Sequence, residues 1–172
     1  MVKAIPEGFH SLAPHLTVDG AAQAIEFYKK AFGAVEKGRM PMPDGKKLMH
    51  AELRMGNVVV FLVDDFPEYH GGKAQSPTAL GGTPVTLHRY VENCDAAIKR
   101  AVDAGAKVLM PVQDMFWGDR YGTLTDPFGH SWAIATHKKD MTPAEIAEAG
   151  KKAMAAMAKG KKSAGEERRK KN

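Results

Sequence analysis

The stretch Pro14–Ile25, PHLTVDGAAQAI, recurs in outline as Leu87–Ile98, LHRYVENCDAAI, 73 residues further along the chain. His15 then matches His88, and both copies pass through a polar turn into an Ala-Ile pair. Each copy is typical of a short strand, a turn and the start of a helix. The sequence therefore contains an internal repeat, and the fold must be built from two similar units.

Helical spacing predicts one apolar face on the helix of each copy. In the first helix, which should end at Gly33, this face comprises Ala24, Ile25, Tyr28 and Phe32. In the second helix, which should end at Gly105, it comprises Ala97, Ile98, Ala101 and Val102.

Three strand signals follow each helix. In the first copy they are Ala34–Met40, Leu48–Met55 and Val58–Val63, and in the second Lys107–Met110, Gly122–Thr125 and Ser131–Thr136. Each copy is thus predicted to be a βαβββ module in an α+β fold. We expect a domain over residues 9–137, with modules at 9–66 and 84–137, a linker at 67–83 and a basic tail at 138–172.

The length and the charge of the chain exclude some classes of protein. A chain of 172 residues suits one domain, and it has no apolar stretch long enough to cross a bilayer. Residues 138–172 contain 11 Lys and Arg and 5 Asp and Glu, which gives this tail a net charge of +6. The whole chain has a net charge of +5, so residues 1–137, the body, carry about −1. A nucleic-acid-binding face on the body is therefore not indicated, although the tail could bind polyanions weakly. The absence of a signal sequence and the single cysteine, Cys94, favour a cytoplasmic protein.

The tail begins with a helix signal. Thr142-Pro143-Ala144-Glu145 is typical of a capping box, with Pro at the first helical position. We expect a helix from Pro143 to about Lys159 and disorder beyond Gly160, where charged residues dominate.

The two modules, the turn DPFGH at 126–130 and the stretch EFYKKAFGA at 26–34 together resemble the vicinal oxygen chelate superfamily, the group of glyoxalase I, bleomycin-resistance proteins and extradiol dioxygenases. The segment Phe116–Trp132 resembles its PhnB-like branch. The resemblance covers residues 9–137. It implies that the two modules form a curved mixed sheet around a cup, with the helices on the convex side, and that the chain forms a homodimer.

Metal enzymes of this superfamily hold a divalent ion with residues of the first and last strand of each module. The matching positions here are Ala13, Phe61, Thr86 and Ala133. Ala and Phe cannot bind a cation, and a lone Thr hydroxyl is a poor ligand. No metal is expected at these positions, and no cofactor is expected, although a divalent metal held elsewhere in the cup stays open.

Alternation along the strands offers other polar groups to the cup. His15 shares a face with Ala13, His88 with Thr86, and His50 and Glu52 share a face of the third strand. These side chains could hold a relocated metal, or His15 and His88 could act as an acid–base pair. The alternative is that the histidines are hydrogen-bonded residues lining a pocket.

A loop between the sixth and seventh strands is a further candidate. Its members Phe116, Trp117, Asp119, Arg120 and Tyr121 suit a rim that stacks on a planar or polar ligand. The alternative is structural, with Trp117 in the core and Asp119 paired with Arg120 or a backbone amide.

Four residues near these sites have predicted places. His130 and Trp132 should pack under the helices, His137 should reach the cup mouth, and Cys94 should be an inert small residue at a helix start.

Three functions follow from these patterns. The first is binding of a small organic molecule in the cup without the usual metal. The second is a glyoxalase-like isomerase, lyase or oxygenase that uses a relocated metal or the pair His15 and His88. The third is a polyanion-binding adaptor that acts through the tail.

Overall fold

The structure is a computed structural model that describes residues 2–169, with side chains described as far as Ala158. No helix among these residues combines the length and apolar character that crossing a membrane requires.

Two βαβββ modules follow each other along the chain, as predicted. The first consists of β1 (His15–Val18), α1 (Ala21–Phe32), β2 (Val35–Pro41), β3 (Leu48–Met55) and β4 (Val58–Asp64). The second consists of β5 (Thr86–Tyr90), α3 (Cys94–Asp103), β6 (Lys107–Asp114), β7 (Asp119–Thr125) and β8 (Ser131–His137). Between them lie a short 3-10 helix, Pro67–Tyr69, and α2 (Pro77–Leu80), and α4 (Pro143–Arg169) follows the second module.

Each module forms its own four-stranded mixed sheet. The orders are β1-β4-β3-β2 and β5-β8-β7-β6, so the two sheets have the same topology. The first strand of each module pairs in parallel with the fourth, and the remaining pairs are antiparallel. The α+β fold of two βαβββ modules is confirmed. The two sheets are open, however, and are not rolled into the curved cup that the resemblance implies.

Helix α1 forms as its sequence predicts. Ile25, Tyr28 and Phe32 are buried on one face, and Gly33 ends the helix in the left-handed conformation (φ 65°) that glycine adopts at little cost. The backbone amides at the helix start find their acceptor in a residue that is distant in sequence. The Asp64 carboxylate accepts hydrogen bonds from the amides of residues 20 and 21 at 2.9 and 2.8 Å. A carboxylate at this end also stabilises the helix dipole.

The core joins the two modules through the helices and the inner sheet faces. Phe32 of α1 packs on Trp132 of β8 with ring centroids 4.4 Å apart, and Tyr28 packs on the same Trp at 5.8 Å. The Tyr28 hydroxyl donates to the carboxylate of Asp126 at 2.8 Å. His130 and Trp132 are buried, as predicted.

The segment between the modules was predicted as a flexible connection. In the structure, hydrogen bonds to one buried carboxylate hold part of it in place. Asp65 is buried, and its carboxylate accepts hydrogen bonds from the amides of Gln75 and Ser76, the latter at 2.7 Å. Because Asp65 directly follows β4, these bonds hold the start of α2 against the end of that strand, and α2 also contacts β1.

Several predicted details are wrong. Strand β6 continues to Asp114 and β7 begins at Asp119, so the loop between them is shorter than expected. Val102, predicted on the apolar face of the second helix, is 40% exposed, and Met49 of β3 is 48% exposed. Met49 falls in a register shift between β2 and β3, which takes it out of the alternation.

Helix α4 starts with the predicted capping box. The amide and hydroxyl of Thr142 donate to the Glu145 carboxylate at 2.7 and 2.8 Å, and the Glu145 amide donates to the Thr142 hydroxyl at 3.3 Å. The helix continues to Arg169, past the predicted end near Lys159 and into the residues for which disorder was expected. One glycine weakens a helix by about 1 kcal/mol but need not end it among good helix formers such as Lys, Ala and Glu. Residues 170–172 lie outside the described part of the chain.

Candidate functional site

The outer side of the first sheet carries a cluster of rings, which we call the first-sheet face: His15, His50, Glu52 and Phe61. The register pairs Phe61 with His15 on one side and with Glu52 on the other, so all three lie in one row across the sheet. The Phe61 ring centroid lies 5.9 Å from that of His15 and 5.0 Å from that of His50. Alternation thus exposes these side chains while Leu16, Ala51 and Leu53 face the core.

The imidazole of His15 is the perturbed group on this face. Partial burial lowers the pKa of His15, and the neighbouring His50, 6.3 Å away between ring centroids, lowers it further. His15 is therefore neutral near pH 7 and can accept a proton or a hydrogen bond.

The outer side of the second sheet carries the second-sheet face: His88, Tyr90, Trp117 and Tyr121. The His88 ring centroid lies 4.8 Å from that of Tyr90 and 5.8 Å from that of Tyr121. Trp117 contacts Tyr121 edge-on at 5.6 Å. Tyr90 is 60% exposed, so this face presents aromatic surface to solvent.

A buried carboxylate organises the end of the second-sheet face. Asp119 accepts hydrogen bonds from the Tyr90 hydroxyl at 3.0 Å and the Trp117 indole at 3.2 Å, and it bonds the Nδ1 atom of His137 at 2.8 Å. Burial raises the pKa of Asp119, but the bonds from His137, Tyr90 and Trp117 outweigh it and bring the pKa below its usual range. Asp119 is thus a fixed anion that orients three rings.

His137 links this carboxylate to the segment before α4. Its Nε2 atom lies 2.9 Å from the Asp140 carboxylate. The hydrogen bonds to Asp140 and Asp119 raise the pKa of His137. Together with Tyr90 and Trp117, these residues border an open hollow of about 460 Å³ that reaches the first turn of α4.

The structural reading of the Phe116–Tyr121 segment is partly wrong. Asp119, Arg120 and Tyr121 belong to β7, and Arg120 pairs with Asp95 and Asp114 instead of Asp119. Successive residues of a strand point to opposite sides, so Asp119 and Arg120 cannot share a face. Phe116 contacts Trp117 edge-on at 5.0 Å, and Trp117 lies at the rim, only partly buried.

The two faces remain separate in this chain. Within residues 2–158, no hydrogen bond or aromatic contact joins the ring cluster of His15, His50 and Phe61 to that of His88, Tyr90 and Tyr121. The structure therefore brings His15 together with His50, and His88 with the tyrosines, but it does not bring His15 and His88 into contact.

The residues at the family's metal positions do not fit a metal. Ala13 precedes β1, and the register places His15 opposite Phe61 and His88 opposite Ala133. None of these pairs offers two cation ligands. Across the part of the chain that the structure describes, no three His, Cys, Asp or Glu side chains gather into a set that could hold a metal ion.

Sequence reasoning missed Tyr90 and Asp140. Tyr90 was detectable, because it follows His88 by two residues in the same strand and therefore shares its face. Asp140 gave no local signal, since its role depends on where β8 ends. His137 reaches the edge of the second-sheet face, while Cys94 is buried and its Sγ atom donates to the carbonyl of Ile134 at 3.2 Å. Burial raises the pKa of this thiol, which agrees with an unreactive residue.

Comparison with known families gives one match over most of the chain. Residues 8–134 match the family model described as the Glyoxalase/Bleomycin resistance protein/Dioxygenase superfamily. This range contains the first module, the second module as far as the middle of β8, and every residue of the first-sheet and second-sheet faces.

Individual relatives agree with this match. An uncharacterized protein of Mycobacterium tuberculosis strain H37Rv is 53% identical over 136 residues, which cover 79% of this chain and 79% of the relative. The crystal structure of a gene product from Arabidopsis thaliana superimposes with a TM-score of 0.59 at 29% identity, covering 74% of this chain and 98% of that one. The PhnB protein of Bacillus cereus shares the fold with a TM-score of 0.56 at 16% identity, covering 74% of this chain and 99% of that one.

Proposed function

The chain belongs to the Glyoxalase/Bleomycin resistance protein/Dioxygenase superfamily, and from this premise we propose that it binds a small organic molecule on the outer faces of its sheets. The observation that carries the proposal is the second-sheet face, where His88, Tyr90, Trp117 and Tyr121 form exposed aromatic surface beside a hollow of about 460 Å³. A hollow of this volume lies within the usual range of ligand sites.

The chemistry of this face indicates a planar or amphipathic ligand. Aromatic rings favour offset or edge-on contact with another ring. Asp119 holds Tyr90 and Trp117 in place through hydrogen bonds, so these rings need little further ordering when a ligand arrives. The absence of a fitting metal-ligand set in the described residues suits binding better than metal-dependent chemistry.

A second copy of the chain would complete the site. Both sheets are open, and each outer face presents rings to solvent. Because the modules have the same topology, a symmetric pair of chains can place the first-sheet face of one copy over the second-sheet face of the other, twice. The ligand would then be enclosed between two chains, and the protein would be a homodimer.

Ligand screening with a matched variant pair tests the proposal. Planar aromatic compounds, including aromatic antibiotics, are screened by thermal shift, and hits are titrated while Trp117 fluorescence is followed. The variants His88→Ala and Tyr121→Ala should weaken binding at least tenfold. Tyr69→Ala should leave it unchanged, because Tyr69 is 71% exposed and belongs to neither face.

The screen has clear contrary outcomes. If no aromatic compound stabilises the protein, or if hits bind His88→Ala as tightly as the parent, the second-sheet face is not the ligand site. A monomer at all concentrations in sedimentation would contradict the completion of the site by a second copy.

A second candidate function is acid–base catalysis by His15 and His88. The lowered pKa of His15 favours it, because a neutral imidazole can accept a proton near pH 7. The two histidines do not contact each other in one chain, so this function also needs a second copy. A turnover assay with 2-oxoaldehyde thiol adducts should then show loss of about 100-fold or more in His15→Ala and in His88→Ala. Turnover that stays close to the parent rate in both variants would exclude the pair.

A further inference from the structure

A cavity between the two modules, beside the linker, is separate from the second-sheet face, although its wall includes His15 of the first-sheet face. Its volume is about 280 Å³, near the lower end of the range for ligand sites. Its walls are residues 14–17 at the edge of β1, the start of β5 and the segment around α2. The side chains around it are mainly apolar, among them Pro77, Leu80, Pro84, Val85 and Leu87.

The walls of this cavity are held in place by two carboxylates. Asp65 bonds the amides of Gln75 and Ser76 and so fixes the wall that contains α2. Asp126 bonds the amides of Phe128 and His130, both at 2.9 Å, and so fixes the turn before β8. The cavity is therefore formed before any ligand binds.

His130 is the polar residue of the cavity wall that is most deeply buried; His15, Thr17, Gln75 and Thr83 also line the cavity. Its side chain is 10% exposed, and its Nδ1 atom is buried without a hydrogen-bond partner among the described residues. Nδ1 lies 3.8 Å from the nearer oxygen of Asp126, which is too long for a hydrogen bond. That oxygen already accepts bonds from the Tyr28 hydroxyl and the Trp132 indole.

The position of Asp126 decides which nitrogen carries the proton. A lone pair on Nδ1 would face a carboxylate, whereas an N–H there is attracted to it. Burial lowers the pKa of His130, and this outweighs the opposite effect of Asp126, so the ring is neutral at pH 7. The proton then resides on Nδ1, and Nε2 is left as a hydrogen-bond acceptor.

We propose that this cavity is a second ligand site, which binds a small apolar molecule bearing a hydroxyl group, such as a phenol or an alcohol, through donation of its O–H to Nε2 of His130. The apolar wall accounts for the body of the ligand, and the unused acceptor accounts for the hydroxyl. Nε2 of His130 makes no hydrogen bond to the described residues and is not among the buried atoms that lack a partner, so it is accessible to the proton of a ligand hydroxyl, whereas the buried Nδ1 is not. The site is separate from the second-sheet face and goes beyond the function proposed above.

The test compares phenol with anisole, which keeps the ring and the oxygen but has no proton to donate. We expect phenol to bind roughly fivefold more tightly, the difference that one hydrogen bond makes. In spectra of the 15N-labelled protein, phenol should shift the Nε2 resonance of His130 and leave the neutral tautomer unchanged. Equal affinities, or an unshifted Nε2 resonance at saturating phenol, would overturn the proposal.

A pair of variants on α2 locates the binding. Leu80 borders the cavity and is 62% exposed, so Leu80→Trp should fill the mouth without unfolding the chain and abolish phenol binding. Ala79→Trp adds the same ring to an exposed neighbour that does not border the cavity and should leave binding intact. Phenol binding that survives Leu80→Trp would place the ligand elsewhere. A failure of phenol to bind this cavity would not change the ligand affinities measured for His88→Ala and Tyr121→Ala. The two proposals can therefore be refuted independently.

Discussion

Asp126 is the residue on which the contact between the modules depends most. Its side chain is fully buried and accepts four hydrogen bonds, from the Tyr28 hydroxyl, the Trp132 indole and the amides of Phe128 and His130. Tyr28 belongs to the first module and the other three to the second. Burial raises the pKa of Tyr28 well above its usual range, and the Asp126 carboxylate raises it further, so the tyrosine remains a donor.

Replacement of Asp126 should therefore destabilise the whole protein. Asp126→Ala leaves four donors without their acceptor, and we expect a loss of about 3 kcal/mol or more in the free energy of unfolding. Urea titration measures it. Asp103→Ala is the control, because Asp103 forms only an exposed ion pair with Lys99 and its loss should change stability by about 0.5 kcal/mol or less. Equal effects of the two substitutions would contradict the role of Asp126.

His137 should make stability depend on pH in a defined direction. The bonds to Asp140 and Asp119 raise its folded pKa above the ordinary value of 6.5. Its contribution is thus fully present below pH 6.5 and is lost as the pH rises through the folded pKa. The difference in melting temperature between the parent and His137→Gln should be larger at pH 5.5 than at pH 9. A difference that grows with pH would contradict this sign, and Asp140→Asn should lower the pKa of His137 in an NMR titration.

Residue patterns predicted some of these roles and not others. The burial of Tyr28 and Trp132 follows from local spacing, because apolar periodicity reports which face of an element meets the core. The bonds of Asp119 could not be predicted, since they join residues 29 and 18 positions apart. The Asp64 cap on α1 spans more than 40 positions and was hidden for the same reason. Such contacts become visible only when the register between strands is known.

Among the elements, the turn between β6 and β7 shows why glycine is required at one place. Gly118 has φ +98°, and a Cβ atom added there would lie 2.3 Å from the carbonyl oxygen of Lys139. The Gly118 carbonyl also accepts the amides of Lys138 and Lys139, both at 3.0 Å. This turn thus fastens the segment that connects β8 to α4 against the second-sheet face.

Gly118→Ala should detach that segment. Backbone strain and the clash together should cost about 2 kcal/mol or more, and hydrogen exchange of the Lys138 and Lys139 amides should accelerate. Gly45→Ala is the matched control, because Gly45 has φ +72° with open space around it, so only the strain of roughly 1 kcal/mol applies. Similar effects at the two glycines would show that the contact with Lys139 is unimportant.

Element boundaries were less predictable than element types. The sequence predicted βαβββ order in both modules, because two periodicities alternate clearly along the chain. It ended β6 four residues too early, at Met110, although the strand continues through Pro111. Strand β6 lies at the edge of its sheet, where a proline costs no hydrogen bond when its nitrogen faces outward.

At the scale of the whole molecule, the repeat explains the distribution of possible sites. Each module buries one sheet face under helices and leaves the other open, so duplication produces two ring-bearing faces and a cavity at the junction. The sequence predicted most residues of the open faces but missed Tyr90. It could not predict that the faces stay apart within one chain, because the relative placement of the modules depends on contacts such as Arg100 with the Ala31 carbonyl, 69 positions away.

The charge of the molecule is concentrated in the last residues, and this leads to a test of polyanion binding. Residues 159–172 contain seven Lys and Arg and two Glu, a net +5 that equals the formal charge of the entire chain, so residues 1–158 are neutral overall. A variant ending at Ala158 should therefore pass through a heparin column at pH 7 and low salt, while the full chain is retained and elutes as salt rises. A full-length variant with the seven basic residues changed to Gln should behave like the shortened chain, because charge and not length holds the polyanion. Retention of the shortened chain would instead locate a basic surface on the modules themselves.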